Sequence, residues 1–132
     1  MSEENVEAVR AIHERFSEGD FRASVDLLDR HIVFVGMPDA PDDRAYLGHE
    51  AVAKAMRGYF DTWADFTLKA EEFIPAGESV LVSVRHQGVA RISGVPTDEH
   101  YFMLWTFRGH KVIRIEAFPE RAPALEAAGL SD

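Results

Sequence analysis

Cysteine is absent from this 132-residue chain, and basic residues are scarce, with 14 lysines and arginines against 23 aspartates and glutamates. The lack of cysteine excludes disulfides and thiolate chemistry and fits a reducing compartment. The net charge of −9 argues against nucleic acid, because phosphate binding needs clustered lysine and arginine. No apolar run approaches the ~20 residues of a membrane span, and the acidic start MSEENVEAVR is unlike a signal peptide. We therefore expect a cytoplasmic protein whose partners include neither nucleic acid nor a membrane.

Motifs for metals and cofactors are also missing. The glycines stand singly at turns or element ends, so no nucleotide-binding glycine motif is present. His13 and Glu14 are adjacent on a predicted helix, but no second histidine lies four residues on, as a zinc-type pair requires. His86, His100 and His110 are expected at the surface, on an outer face or in a turn. The sequence therefore predicts no metal site and no cofactor.

What the chain does contain is the composition of one folded domain, residues 1–132. Hydrophobic residues make up 46% and charged residues 28% of the chain, which is ordinary for a globular protein of this size. Apolar residues at helical spacing predict three helices before the main sheet, over residues 2–16, Phe21–Leu28 and Gly48–Trp63. The segment Met37–Asp43 has the composition of a loop.

The second half of the chain has the pattern of strands. Strands are predicted at His31–Val35, from Phe66 to Ala70, and at Val80–Ala90, Glu99–Arg108 and Lys111–Phe118, with turns between the later ones and an alanine-rich helix at the end. Helices followed by an antiparallel meander indicate an α+β fold, with the helices packed on one face of the sheet.

This order of elements resembles the SnoaL-like branch of the nuclear-transport-factor-2-like superfamily. The resemblance rests on EGDF after the first helix, YLGHEAV at the start of the third, and the hairpin WTFRGHKVIRIEAF. It implies a cone-shaped barrel, in which three N-terminal helices and a curved, mostly antiparallel sheet enclose an apolar pocket, followed by a short C-terminal helix. It also implies a homodimer formed through the outer face of the sheet. Polyketide cyclases, ketosteroid isomerases and limonene epoxide hydrolases share this scaffold, so the pocket residues must decide the function.

The groups used by ketosteroid isomerases are absent. These enzymes need a carboxylate base and an oxyanion hole formed by a tyrosine and a protonated acid. The resemblance places these three positions at Ile12, Gly36 and Met103, none of which carries the required group. Isomerase chemistry of that kind is not expected here.

This sequence retains only some of the catalytic groups of the epoxide hydrolases. The positions of the tyrosine and asparagine that hold water fall on Phe34 and Gly36, so the water clamp is missing. Arg85 keeps an arginine, Gln87 replaces the aspartate two residues on, and Glu116 stands in the place of the terminal acid.

Glu116 is the main candidate for an acid or base. Strand alternation groups it with Val112, Arg114 and Phe118, and we expect it near Trp105 at the pocket. In an enzyme, Glu116 would act as general base and Arg85 would stabilise a developing oxyanion. The alternative is a structural ion pair of Glu116 with Arg85 or Arg114.

The remaining site candidates, which are apolar or aromatic except for the polar Gln87, could line a pocket for a flat ligand. They are His13, Phe34, Tyr59, Trp63, Gln87, Met103 and Trp105. Three functions stay open at this point: a protein that binds a small hydrophobic carbonyl compound, an isomerase, cyclase or hydrolase acting on one, and a dimeric interaction module without a used pocket.

Overall fold

The computed structural model describes residues 2–17, 25–36 and 45–130. The helices in these ranges are α1 (Ser2–Ser17), α2 (His49–Asp61) and α3 (Arg121–Ala127), and a short 3-10 turn covers Val25–Leu27. The strands are β1 (Leu28–Val35), β2 (Ala45–Leu47), β3 (Trp63–Ala76), β4 (Ser79–Ala90), β5 (Pro96–Arg108) and β6 (Lys111–Phe118). The chain is therefore α+β, as the sequence predicts.

The six strands form one sheet in the order β2-β1-β6-β5-β4-β3. All neighbours are antiparallel except β1 and β6, which run parallel. Gly77 and Gly109, both at φ 62°, make the tight turns between β3 and β4 and between β5 and β6, a left-handed conformation that glycine adopts without strain. Within the described ranges, no helix has the length and apolar character needed to span a membrane.

The sheet has two covered faces, which we call inner and outer. The inner face is the one on which α1 and α2 pack, and its core joins helix residues such as Val9 and Val52 to Val82 and Trp105 of the sheet. The outer face carries a smaller core in which Leu81 and Leu104 pack against α3. Alternation along β4 thus buries both faces at its centre.

The predicted meander is confirmed, and the predicted bounds of β6 are the observed ones. The prediction of three N-terminal helices is not matched, because the third helix of the described residues is the C-terminal α3. Residues 21–24 of the predicted second helix lie outside the described residues, and Leu28 instead begins β1. The predicted loop Met37–Asp43 also lies outside them. β1 starts three residues earlier than predicted, and Trp63 belongs to β3 rather than to the preceding helix.

A β-bulge between β5 and β6 decides which side chains reach the inner face. Phe107 pairs with Val112, but Thr106 pairs with Arg114, so one extra residue of β6 is accommodated between them. Beyond the bulge, Ile115 pairs with Trp105 on the inner face, and Glu116 pairs with Leu104 on the outer face. The expectation that Glu116 lies beside Trp105 is therefore wrong.

Candidate functional site

A chain of hydrogen bonds between polar side chains lies on the inner face, where β4, β5 and the end of α2 meet. His86 is fully buried, at 0% exposure, on the same face of β4 as three core valines. Its Nδ1 lies 2.8 Å from the hydroxyl of Tyr59, and its Nε2 lies 3.0 Å from Oγ1 of Thr97. The Thr97 hydroxyl donates in turn to the carbonyl of Gly88, at 3.3 Å. This series of hydrogen bonds therefore connects α2 to the backbone of β4.

The last acceptor determines which group donates and which accepts in each of these hydrogen bonds. The Gly88 carbonyl can only accept, so the Thr97 hydroxyl gives its proton to it and accepts the proton of His86 Nε2. The unprotonated Nδ1 of His86 then accepts from the hydroxyl of Tyr59. Burial lowers the pKa of His86, which agrees with a neutral ring.

Tyr101 lies near Tyr59, and the two tyrosines affect each other's ionisation. Burial raises the pKa of Tyr101 well above its usual value, and its hydrogen bond to Tyr59 raises it further. Burial also raises the pKa of Tyr59, its interaction with Tyr101 lowers that pKa, and the nearby charge of Glu99 raises it.

Aromatic rings hold the imidazole of His86 in place. The ring centroid of His86 lies 4.4 Å from that of Trp63, 5.1 Å from that of Phe66 and 5.9 Å from that of Tyr59. Arg91 fixes the backbone that carries these rings, because its guanidinium donates to the carbonyls of Asp61 and Trp63 at 3.1 and 2.8 Å. A shallow surface pocket of about 380 Å³ lies at this corner, lined by residues 58, 61, 62 and 90–93, and contains no member of the hydrogen-bonded chain.

A second polar group is buried further along β5. Trp105 is fully buried, and the ring of His13 on α1 meets it edge-on with centroids 5.9 Å apart. His13 meets Phe73 in the same way at 6.1 Å, and burial lowers the pKa of His13 to about 4. The indole N–H groups of Trp105 and Trp63 have no acceptor among the residues that the structure describes.

The comparisons with known proteins agree with this architecture. The model of the SnoaL-like domain family matches residues 9–115. The chain belongs to the SnoaL-like domain family. No curated protein matches the chain.

Solved structures with the same fold share little sequence with this SnoaL-like domain. TerC, crystallised with polyporic acid, is 20% identical, with a TM-score of 0.73 over 95% of this chain and 98% of its own. An NTF2-like protein of unknown function from Burkholderia pseudomallei is 22% identical, with a TM-score of 0.76 over 96% and 95% of the two chains. A candidate SnoaL-like polyketide cyclase from Jannaschia sp. is 18% identical, with a TM-score of 0.78 over 89% and 85%. At these identities the likeness shows the fold alone, and no specific activity follows for the SnoaL-like domain.

The predicted site residues of this SnoaL-like domain divide between the two faces. Six of the nine lie on the inner face or at its α2 end: His13, Phe34, Tyr59, Trp63, Met103 and Trp105. Arg85, Gln87 and Glu116 pair instead with residues of the outer face. The structure thus brings together the aromatic candidates but separates them from the charged ones.

Arg85 and Glu116 do not form the expected pair. Arg85 makes a bidentate ion pair with Asp98, with distances of 3.0 and 2.7 Å, and Gln87 also donates to Asp98, at 3.3 Å. Glu116 pairs with Arg114 at 3.0 Å, which is the structural alternative that the sequence left open. The catalytic roles of Glu116 and Arg85 remain predictions, for which this geometry offers no shared pocket.

Sequence reasoning missed the most polar part of the inner face. The expectation that His86 lies at the surface, on an outer face or in a turn is wrong, since it is fully buried and bonded through both ring nitrogens. A signal was available, because His86 alternates with Val80, Val82 and Val84, a spacing that puts it on their core face. Thr97 had no such signal. Among the described residues, no group of three or more potential ligands is arranged to hold a metal ion.

Proposed function

We propose that this SnoaL-like domain binds a small hydrophobic carbonyl compound on the inner face of its sheet, between α1 and β5. The observation that carries the proposal is the buried indole N–H of Trp105, which has no acceptor in the described part of the chain. A buried donor without a partner costs about 1–3 kcal/mol, so a ligand that supplies a carbonyl oxygen there removes a penalty as it binds.

The surroundings of Trp105 suit an apolar ligand. His13 is kept neutral by burial, and Phe73 and Met103 add apolar surface beside it. Met56 and Met103 are unbranched, flexible side chains that can move aside to admit a ligand. A cone-shaped closure of the sheet around this face, as the family resemblance implies, supports the same proposal. So does the crystallisation of TerC, a protein of this fold, with polyporic acid.

The test uses 2-acetylnaphthalene, a flat apolar ketone, as the probe. Calorimetry and thermal shift should detect its binding to the unmodified protein, since a ligand at 100 times its Kd adds about 2.7 kcal/mol to stability. Trp105→Phe keeps an aromatic ring but removes the N–H, and should weaken binding by about 2- to 12-fold, the value of one neutral hydrogen bond. Glu116→Gln, on the opposite face, is the matched control and should bind as the unmodified protein does.

Two results would overturn the proposal. One is the absence of any binding by 2-acetylnaphthalene and by other apolar ketones of similar size. The other is equal affinity in the unmodified protein and in Trp105→Phe. Loss of turnover of an accepted carbonyl substrate in Glu116→Gln would instead favour the enzymatic alternative, with Glu116 as general base and Arg85 as oxyanion stabiliser.

A homodimer through the outer face is the second part of the proposal, and it is supported by the family resemblance. Leu81 and Leu104 are already covered there by α3 of the same chain, so the partner would meet the ion-paired strip around Arg85 and Asp98. Light scattering at increasing salt tests this, because a contact built on exposed ion pairs weakens as salt screens them. A monomer at all protein concentrations would exclude the dimer. The proposal places the protein in the cytoplasm, with neither nucleic acid nor a membrane as a partner.

A further inference from the structure

The turn between β4 and β5 exposes more apolar surface than a turn usually does. Ile92 is fully exposed and Val95 is more than half exposed. Turns are mostly built from glycine, proline, asparagine, aspartate and serine, so two aliphatic side chains on one turn need a reason. Neighbouring exposed apolar side chains mark an interaction site more often than single ones do.

The surface pocket of about 380 Å³ lies directly beside this turn, and Ile92 forms one of its walls. Another wall is the C-terminal end of α2, where Gly58 contributes no side chain. A Cβ at Gly58 would meet no atom of the described residues within 4 Å, so packing within the chain does not require glycine there. Glycine is unfavourable inside a helix, and here it keeps the pocket open. The surface thus has a projecting apolar side chain next to a cavity of a size that accepts one.

Two opposite charges at the pocket are also unpaired. Asp61 and Arg91 both line it, and neither forms an ion pair with the other or with any residue in the described ranges. The guanidinium of Arg91 is held in place, because its Nε and Nη2 donate to the carbonyls of Asp61 and Trp63 at 3.1 and 2.8 Å. Its Nη1 donates to no residue in those ranges, so a fixed cation with free donors stands beside a free carboxylate.

We propose that this surface is a contact between two copies of the chain, related by a two-fold axis beside the β4–β5 turn. Ile92 of each copy enters the pocket of the other, and Asp61 of each faces Arg91 of the other. A two-fold contact needs a surface that is complementary to itself, and this one carries both halves of each interaction. A small molecule in the pocket would leave the projecting isoleucine exposed, whereas a second copy covers both. The contact involves neither Trp105 nor the outer face, so its test does not depend on the proposed function.

Sedimentation equilibrium over a range of protein concentrations measures the contact. We expect weak association, because one turn and one helix end offer less than the roughly 800 Å² per partner of a standard interface. Ile92→Ser should raise the dissociation constant at least about 10-fold, since the buried isoleucine supplies most of the apolar contact. Gly58→Leu should do the same by filling the pocket, and leucine favours the helix, so this variant should fold. Asp61→Asn keeps the carbonyl that holds Arg91 and should cost only about 2- to 5-fold, because exposed ion pairs are weak.

The absence of cysteine allows a direct test of the geometry. In Ser93→Cys, the two-fold axis brings the two new thiols together, and mild oxidation should give a disulfide-linked dimer. Glu78→Cys is the matched control, because Glu78 is exposed in the turn at the opposite end of β4. It should stay monomeric under the same oxidation. Adding Ile92→Ser to Ser93→Cys should reduce the cross-linked fraction.

The results distinguish this contact from the proposed outer-face dimer. If both form, the unmodified protein reaches a tetramer, Ile92→Ser stops at a dimer, and Arg85→Ala, on the outer face, leaves the Ser93→Cys cross-link in place. If the outer-face dimer does not form, the unmodified protein reaches only a dimer, and Ile92→Ser is a monomer. A protein that stays monomeric up to about 1 mM would overturn the inference. So would a dissociation constant unchanged by Ile92→Ser and Gly58→Leu, or equal cross-linking of Ser93→Cys and Glu78→Cys.

Discussion

Removing the hydroxyl of Tyr59 tests whether the buried chain on the inner face stabilises the fold. Tyr59→Phe keeps the ring, and with it the edge contacts to Trp63 and Phe66, whose centroids lie 6.3 and 6.1 Å away. What is lost is the proton donated to Nδ1 of His86 at 2.8 Å. The oxygen that interacts with Tyr101 is lost as well.

The size of the effect follows from burial. His86 has 0% exposure, so no water can replace the lost donor without opening the core. Tyr59 itself is 38% exposed, so water can partly serve Tyr101 from that side. An unsatisfied buried group costs about 1–3 kcal/mol, and we expect about 1–2 kcal/mol of lost unfolding free energy for Tyr59→Phe. For a domain of this size, that corresponds to a Tm lower by roughly 4–8 °C.

Urea denaturation followed by circular dichroism measures this loss directly. The matched control is Tyr46→Phe, because Tyr46 packs on Phe34 with centroids 6.2 Å apart and its hydroxyl makes no hydrogen bond within the described residues. The control should lie within about 0.5 kcal/mol of the unmodified protein. If the two variants lose the same free energy, Tyr59 is held by ring packing alone, and the hydrogen-bonded chain contributes nothing to stability.

Two further predictions concern the effect of pH through His13 and the close contact between Gly88 and the backbone of β3. His13 has a pKa of about 4 in the folded protein, against the ordinary histidine value of 6.5 that applies to the unfolded chain, so the unfolded chain takes up its proton first as pH falls. The unfolding free energy should therefore decrease from pH 6.5 to pH 4, by up to about 3 kcal/mol more in the unmodified protein than in His13→Phe. If the unfolding free energies of the two proteins changed with pH in parallel, the prediction would be contradicted. Gly88→Ala should cost about 1–3 kcal/mol in denaturant unfolding, because its Cβ would lie 2.9 Å from a backbone carbonyl of β3. Gly58→Ala, in α2 with nothing within 4 Å of the added carbon, should instead raise stability by up to about 1 kcal/mol, and equal effects at the two sites would refute the steric argument.

The strands of the second half were predictable because their signals are local. Gly77 and Gly109 mark hairpin turns, and the alternation between and after them identifies β4, β5 and β6. The position of Glu116 was not predictable in this way. It depends on the bulge opposite Phe107, and a bulge is a property of two paired strands rather than of one sequence.

The inner-face chain illustrates a second limit of sequence reasoning. The six candidates on that side, five aromatic or histidine residues and Met103, were found from residue type and spacing. The bonds between Tyr59, His86 and Thr97 join residues 27 and 11 positions apart, and only the folded sheet brings them together. The ion pair of Arg85 with Asp98 was missed for the same reason, since strand register selects it over Glu116.

The parallel pairing of β1 with β6 affects how the chain is completed during synthesis. Lys111, the first residue of β6, donates to the backbone carbonyl of Asp26, 85 positions earlier, and Leu28 pairs with Val112. β1 therefore leaves the ribosome long before β6 is synthesised. Until then, the edge of β1 that pairs with β6 has no partner strand. Contacts of such long sequence separation slow folding and leave apolar surface open to aggregation. A nascent chain that stops before Lys111 has no complete inner face, so the ligand-binding surface forms among the last parts of the molecule.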